Sequence, residues 1–152
     1  MYSFKNASIF LLRVSLGWLF FYAGITKVLD PSWSAAGYLN NASTFSSFFA
    51  WFASPDILPI TNFINQWGLT LIGVALILGI FVRFASIGGA VMMTLYYFPV
   101  LNFPHIPPHS YIVDEHIVYI FAFLVLFALN AGKIFGLDGF LENNKRGGFR
   151  PL

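Results

Sequence analysis

Three ionisable side chains, Asp114, Glu115 and His116, stand in a row at the start of the last long apolar run of the chain. An imidazole beside carboxylates can hold and transfer protons near neutral pH. Charges next to so long an apolar run lie either at a membrane edge or in a protein interior, because exposure to hydrocarbon is costly. This stretch is therefore the first candidate for a functional site.

Other polar side chains end the neighbouring apolar runs. Lys27 ends the first run, and Tyr96 and Tyr97 end the third beside a proline, where a freed carbonyl can open a polar notch. Tyr119 follows Glu115 by four residues, so the two share a helix face. These residues complete the candidate ligand-binding set, and none of them is assigned a catalytic role.

The composition places the chain in a membrane. Of its 152 residues, 58% are hydrophobic, 20% aromatic and only 9% charged, whereas soluble domains are about a quarter charged. Each span needs roughly 20 residues, so the length allows about four spans in a single domain. The absence of cysteine excludes thiol, disulfide and iron–sulfur chemistry. Basic residues are scattered at helix ends, so no nucleic-acid surface is expected.

Hydrophobic runs and breakers predict an all-α fold, an integral membrane four-helix bundle. A short helix capped by Asp30 and starting at Pro31 is expected within a segment of interfacial helices between the first two spans. The predicted segments are spanning helices at about 6–28, 59–82, 84–103 and 111–135, an interfacial segment at 31–54, and a tail at 138–152.

One face of the first helix carries Arg13, Gly17, Phe20, Gly24 and Lys27, which recur at spacings of three and four. Glycines let membrane helices approach closely, so this face is expected to meet a neighbouring helix. Lys27 would then share a pocket with at least one member of the charged triplet. The alternative is that both cations extend to the two membrane interfaces.

Basic residues also predict the orientation. Only Lys27 falls on one side of the predicted spans, and by the positive-inside rule both termini are cytoplasmic in a cell (inner) membrane. The other basic residues fall on the opposite side: Lys5, Arg13, Arg83, Lys133, Lys145, Arg146 and Arg150.

The order of four short motifs resembles the DoxX/DoxD family of small four-helix membrane proteins. The motifs are an opening LRVSLGWLFFYAGITK at 12–27, a glycine and arginine pattern at 73–83, the acidic and histidine start of the fourth helix at 114–116, and a closing GKIFGLD at 132–138. The DoxD branch resembles the large subunit of thiosulfate:quinone oxidoreductase, and the resemblance supplies no catalytic residue set.

Two functions follow as hypotheses. The first is a membrane subunit of a redox complex that binds a quinone head group, or a small anionic donor such as thiosulfate, at the outer end of the bundle. A quinone is then the candidate cofactor, and enzymatic activity is left open. The alternative is a non-catalytic assembly or anchor subunit whose buried charges form structural ion pairs. The partners expected are the lipid membrane and other membrane or redox subunits, or further copies of the chain.

A metal or haem site and a transporter are weaker alternatives. His105 and His109 are four residues apart, but two prolines between them prevent a regular helix, so no metal site is assigned. Four helices without a visible inverted repeat are unsuited to alternating access.

Overall fold

A computed structural model describes residues 2–106 and 110–147, with side chains for 4–106 and 110–144. The chain is mostly helical. Its elements are α1 (Tyr2–Val28), α2 (Ala36–Asn40), α3 (Ser46–Phe52), α4 (Leu58–Leu78), α5 (Val82–Val100), a hairpin of β1 (His105–Ile106) and β2 (Ser110–Tyr111), α6 (Glu115–Ala128), a 3-10 turn (Ala131–Lys133) and α7 (Leu137–Gly147).

The two most extensive helix pairs are α1 with α4 and α5 with α6, and further contacts join α4 to α5 and α1 to α6. Small residues allow the close approach between α1 and α4. A Cβ atom on Gly17 would lie 2.9 Å from the Cβ of Leu76, and one on Gly73 would lie 2.5 Å from the Cα of Phe21. The glycine face predicted for the first helix therefore packs against a neighbouring helix, as membrane helices commonly do.

Two of the long helices, Phe4–Val28 and Leu58–Leu78, are long and apolar enough to cross a membrane, counting only residues that the structure describes. The helix α6 is apolar but has only 14 residues, a length of about 21 Å at 1.5 Å per residue. This is shorter than the roughly 30 Å hydrocarbon core, so the span predicted at 111–135 is too long at both ends.

Local hydrogen bonds account for these shorter bounds. Asp114 caps α6, because its Oδ1 accepts from the main-chain nitrogens of His116 and Ile117 at 3.0 and 3.2 Å, and Tyr111 belongs to the hairpin. At the other end, Asn130 adopts a left-handed conformation with φ 48°. The helix predicted to reach residue 82 similarly ends at Leu78, and α5 starts at residue 82 and ends at residue 100 rather than running from 84 to 103.

Buried Arg13 ties the first helix to the chain after α6. Its guanidinium is fully buried and donates to the main-chain oxygens of Ala131 and Phe135, at 3.0 Å each. Asp138 lies next in the chain and accepts from the main-chain nitrogens of Phe81 and Val82 at 2.9 and 3.2 Å. These contacts join the middle of α1 to the chain after α6, and the start of α7 to the start of α5. The alternative in which Arg13 extends to the interface is wrong, because its side chain is buried within the protein.

The segment between α1 and α4 folds over one end of α5, and we call α2, α3 and their connections the lid (residues 31–54). The helix expected to start at Pro31 is absent, since Asp30 instead accepts from the main-chain nitrogen and hydroxyl of Ser32 in a turn. The first helix of the lid begins only at Ala36. Burial of Leu39 and Phe49 gives the lid its own small apolar core.

The tail begins with α7. The basic side chains predicted to mark it as a membrane-surface segment, Lys145, Arg146 and Arg150, lie outside the described side chains.

Candidate functional site

A cleft of about 360 Å³ lies among α1, α4, α5 and α6. We call it the Lys27 cleft. Four helices contribute to its wall, which combines polar groups with apolar ones: Leu19, Phe20, Ala23, Lys27, Leu69, Met93, Tyr96, Glu115, His116 and Tyr119. Five of the seven candidate residues therefore line one cleft.

Lys27 is half-buried, and its ammonium lies 5.4 Å from the centre of the Trp33 ring and 5.9 Å from that of Tyr96. A cation positioned above the face of an aromatic ring is attracted to it. Within residues 4–106 and 110–144, no carboxylate oxygen comes within 4.0 Å of the ammonium. The ion pair with Asp114 or Glu115 considered as a structural alternative is therefore not formed, and the ammonium can donate to a ligand.

Asp114 does not line the cleft, but it orients His116, which does. While Oδ1 caps the helix, Oδ2 lies 2.5 Å from Nδ1 of His116. A carboxylate bound to Nδ1 holds the proton there in the neutral ring, which leaves Nε2 as the acceptor or, in the charged ring, as a second donor. The His116 ring packs against Tyr96 at 6.1 Å between centroids.

The remaining candidates divide between the cleft and the protein interior. Tyr119 packs edge-on against Phe20 at 6.1 Å between ring centroids, and Glu115 is exposed at the rim. Tyr97 does not reach the cleft, because its hydroxyl donates to the main-chain oxygen of Ile112 at 2.6 Å. Tyr97 therefore ties α5 to the start of α6.

Trp33 contacts the site but was absent from the sequence-based candidates. It belongs to the lid, and nothing in the local pattern around it indicates that it would reach the Lys27 ammonium. A weak signal was available for Asn65, which stands with two other amides in the first turns of α4. Its side chain lies beside Tyr96, and its Oδ1 is buried without a partner.

Hydrogen bonds fasten the lid to the carboxyl end of α5. Tyr38 donates its hydroxyl to the main-chain oxygen of Tyr96 at 2.5 Å, and the nitrogen of Ser43 donates to Pro99 O at 2.9 Å. Burial, with Tyr96 and Asp114 nearby, raises the pKa of the Tyr38 phenol. The phenol therefore remains a donor well into alkaline solution.

A second cavity, of about 140 Å³, lies under the lid, between it and the helices α4 and α5. We call it the lid cavity. Its wall is almost entirely apolar and aromatic, including Phe49, Phe52 and Met92, and Tyr96 lines both this cavity and the Lys27 cleft.

No metal-binding group of three or more His, Asp or Glu side chains occurs in the described part of the chain. His105 packs against Tyr111 in the hairpin, at 5.5 Å between ring centroids. His109 lies outside the described residues.

Comparisons with known proteins point to one family. The DoxX family model matches residues 8–101, from α1 through the lid and α4 to the end of α5. The residues that α6 contributes to the cleft lie beyond this match. No curated protein and no solved structure matches the chain. Since the match spans more than half of the sequence, the chain belongs to the DoxX family, which is a family of membrane proteins.

Proposed function

We propose that this chain is a membrane subunit of a redox complex that binds a quinone head group in the Lys27 cleft. The observation that carries the proposal is the convergence of Lys27, Tyr96, Glu115, His116 and Tyr119 on one cleft. Small-molecule sites are typically concave and mostly apolar, with a few converging polar groups.

Each part of a quinone has a counterpart in this cleft. The flat ring suits a slot with Phe20 and Tyr96 in its walls. The two carbonyl oxygens are acceptors, and the Lys27 ammonium is a donor with no carboxylate within 4.0 Å among the described side chains.

Reduction would convert a quinone, two electrons and two protons into a quinol. His116 and Glu115 are the side chains in the cleft that could donate or accept these protons. The electrons would come from a partner subunit or from a small anionic donor such as thiosulfate, which is oxidised in the same step. The resemblance to the DoxD branch supports this class of donor.

The proposed membrane arrangement is a four-helix bundle in which α1, α4, α5 and α6 all span, with both termini in the cytoplasm. The short α6 would be accommodated by local thinning of the bilayer. A reporter that works only in the cytoplasm is expected to be active when it is fused to the C-terminus. Activity of an externally exposed reporter would refute the orientation.

A second candidate, a non-catalytic anchor or assembly subunit, is favoured by how other charges are used. Arg13 binds main-chain oxygens, and Asp114 caps a helix and holds His116. Charges used in this way stabilise the fold and leave little for a ligand. The state of Lys27 separates the two candidates.

The test compares Lys27→Met with Lys5→Met, which removes a charge from an exposed position on the same helix. Quinone binding to the purified protein is measured by quenching of tryptophan fluorescence. A hydrogen bond to a charged group contributes about 1.5–3 kcal/mol, so Lys27→Met is expected to weaken binding by about 10- to 100-fold. Lys5→Met should bind as the unmodified protein does.

Folding is followed by thermal unfolding in the same detergent. A Lys27→Met protein that folds and keeps full quinone affinity would refute the proposed function. The anchor role would then be the better explanation of the charged residues.

A further inference from the structure

We propose that the lid cavity holds the hydrocarbon chain of a lipid-soluble quinone, so that this site recognises chain-bearing quinones rather than the ring alone. This inference rests on the proposed function, because it places the head group of the same molecule in the Lys27 cleft.

The size and lining of the lid cavity suit a hydrocarbon group. An apolar cavity of roughly 150 Å³ stays free of water and accepts a benzene-sized molecule. The lid cavity has about 140 Å³ and walls formed by Leu39, Phe49, Phe52 and Met92, among others. Such a cavity can take the first segment of a hydrocarbon chain, which gains dispersion contacts along its whole surface.

The lid cavity and the Lys27 cleft are neighbours, because the Tyr96 side chain lines both. Asn65 of α4 also lines the lid cavity, and its side chain lies beside Tyr96. The buried Oδ1 of Asn65 has no partner. This pair therefore forms a polar boundary at which the head group of a ligand ends and its chain begins.

The lid cavity reaches the outer surface of the protein between α4 and α5. Ile64 of α4 and Leu95 of α5 line the cavity and are 58% and 41% exposed. In the proposed membrane arrangement these side chains contact lipid. A chain lying in the cavity can therefore continue into the bilayer between them.

The lid is fastened tightly enough to keep the cavity in place. In addition to the bonds from Tyr38 and Ser43, the hydroxyl of Thr44 donates to Leu101 O at 2.5 Å. Two of the acceptors, Pro99 O and Leu101 O, lie in and just after the last turn of α5, where carbonyl oxygens lack helical donors.

The test uses one benzoquinone ring carrying either a methyl group or a decyl chain. A mouth variant, Ile64→Phe with Leu95→Phe, adds bulk where the chain would leave the lid cavity. Its matched control, Leu71→Phe with Ile87→Phe, adds the same bulk at exposed positions of the same helices away from the cavity. Neither pair introduces a tryptophan, so fluorescence quenching reports binding in every case.

The unmodified protein and the control are expected to bind the decyl form about tenfold more tightly than the methyl form, and the mouth variant should lose this preference. Its affinity for the methyl form should stay unchanged. A mouth variant that keeps the preference overturns the inference about the chain. Lys27→Met with undiminished affinity for the methyl form would instead overturn the proposed function, so the two failures are distinguishable.

A second measurement on the unmodified protein covers a mouth variant that does not fold. A photoreactive diazirine within the first few carbons of the decyl chain is expected to label peptides of α3 and of α5 near Met92. Labelling confined to α1 and α6 would contradict the inference. Labelling of the same peptides by a photoreactive phospholipid, but not by the quinone, would assign the cavity to a bilayer acyl chain and also overturn it.

Discussion

Replacing Gly24 by alanine should separate α1 from α4 and lower the thermal stability of the protein. A Cβ at this position would lie 2.9 Å from the carbonyl carbon of Leu69 and closer still to the main-chain nitrogen of Thr70. Ordinary contacts begin at 3.4 Å, so α1 must move away from α4 by more than about half an ångström. Main-chain atoms cannot turn aside as a flexible side chain could.

The size of the effect is a balance of two terms. Overpacking a tight contact costs about 1–3 kcal/mol, and alanine is favoured over glycine within a helix by about 1 kcal/mol. We therefore expect Gly24→Ala to destabilise the fold by up to about 2 kcal/mol. The larger side chain of Gly24→Leu should cost more, since it must also displace neighbouring side chains.

Gly88 provides the matched control, because it lies inside α5 and its added Cβ would meet Ile72 only at an ordinary distance of 3.7 Å. Gly88→Ala should keep or raise the stability, because only the helix-propensity term acts. Thermal unfolding of the three proteins in one detergent measures the order. An unfolding temperature of Gly24→Ala equal to that of Gly88→Ala would refute the argument that this glycine is required by close packing.

Two further predictions concern charged residues away from the cleft. Arg13→Met leaves one buried and one partly buried main-chain oxygen without donors, and we expect a loss of about 3 kcal/mol, seen as a lower unfolding temperature in detergent. An unchanged temperature would show that these bonds are dispensable. The hydroxyl and main-chain nitrogen of Ser32 hold the pKa of Asp30 below its usual value. This contribution to stability is present above the unfolded pKa of about 3.9 and is lost as the pH falls through the lower folded value. Removing the hydroxyl in Ser32→Ala should therefore raise the Asp30 pKa, as measured by NMR titration. An unaltered pKa would contradict this prediction.

The amino-acid sequence by itself determined the membrane character, the helical class and the inward face of the first helix. Composition is sufficient for the first two, because a chain with 9% charged residues cannot cover a soluble surface. Spacing is sufficient for the third, since Gly17 and Gly24 recur on one side of any helix that contains them. The resemblance to the DoxX family was visible in short sequence motifs, and the family is confirmed by the match over residues 8–101.

Helix ends were predicted less well, because distant residues decide them. The amino end of α5 is capped by Asp138, which is 57 residues further along the chain than Phe81. Propensities describe only neighbours in sequence, so this capping contact cannot be read from them. The turn after Asp30 is instead a local competition, because Ser32, two residues further on, occupies the carboxylate that was expected to cap a helix.

Only the tertiary structure decided which of the candidate side chains share a cleft. Tyr96 and Tyr97 are adjacent and chemically identical, yet the first lines both cavities and the second donates to Ile112 O. Asp114 caps a helix, whereas Trp33 of the lid lies beside the Lys27 ammonium. Periodicity shows that a side chain is turned away from lipid, but the group that it then meets depends on how separate helices pack.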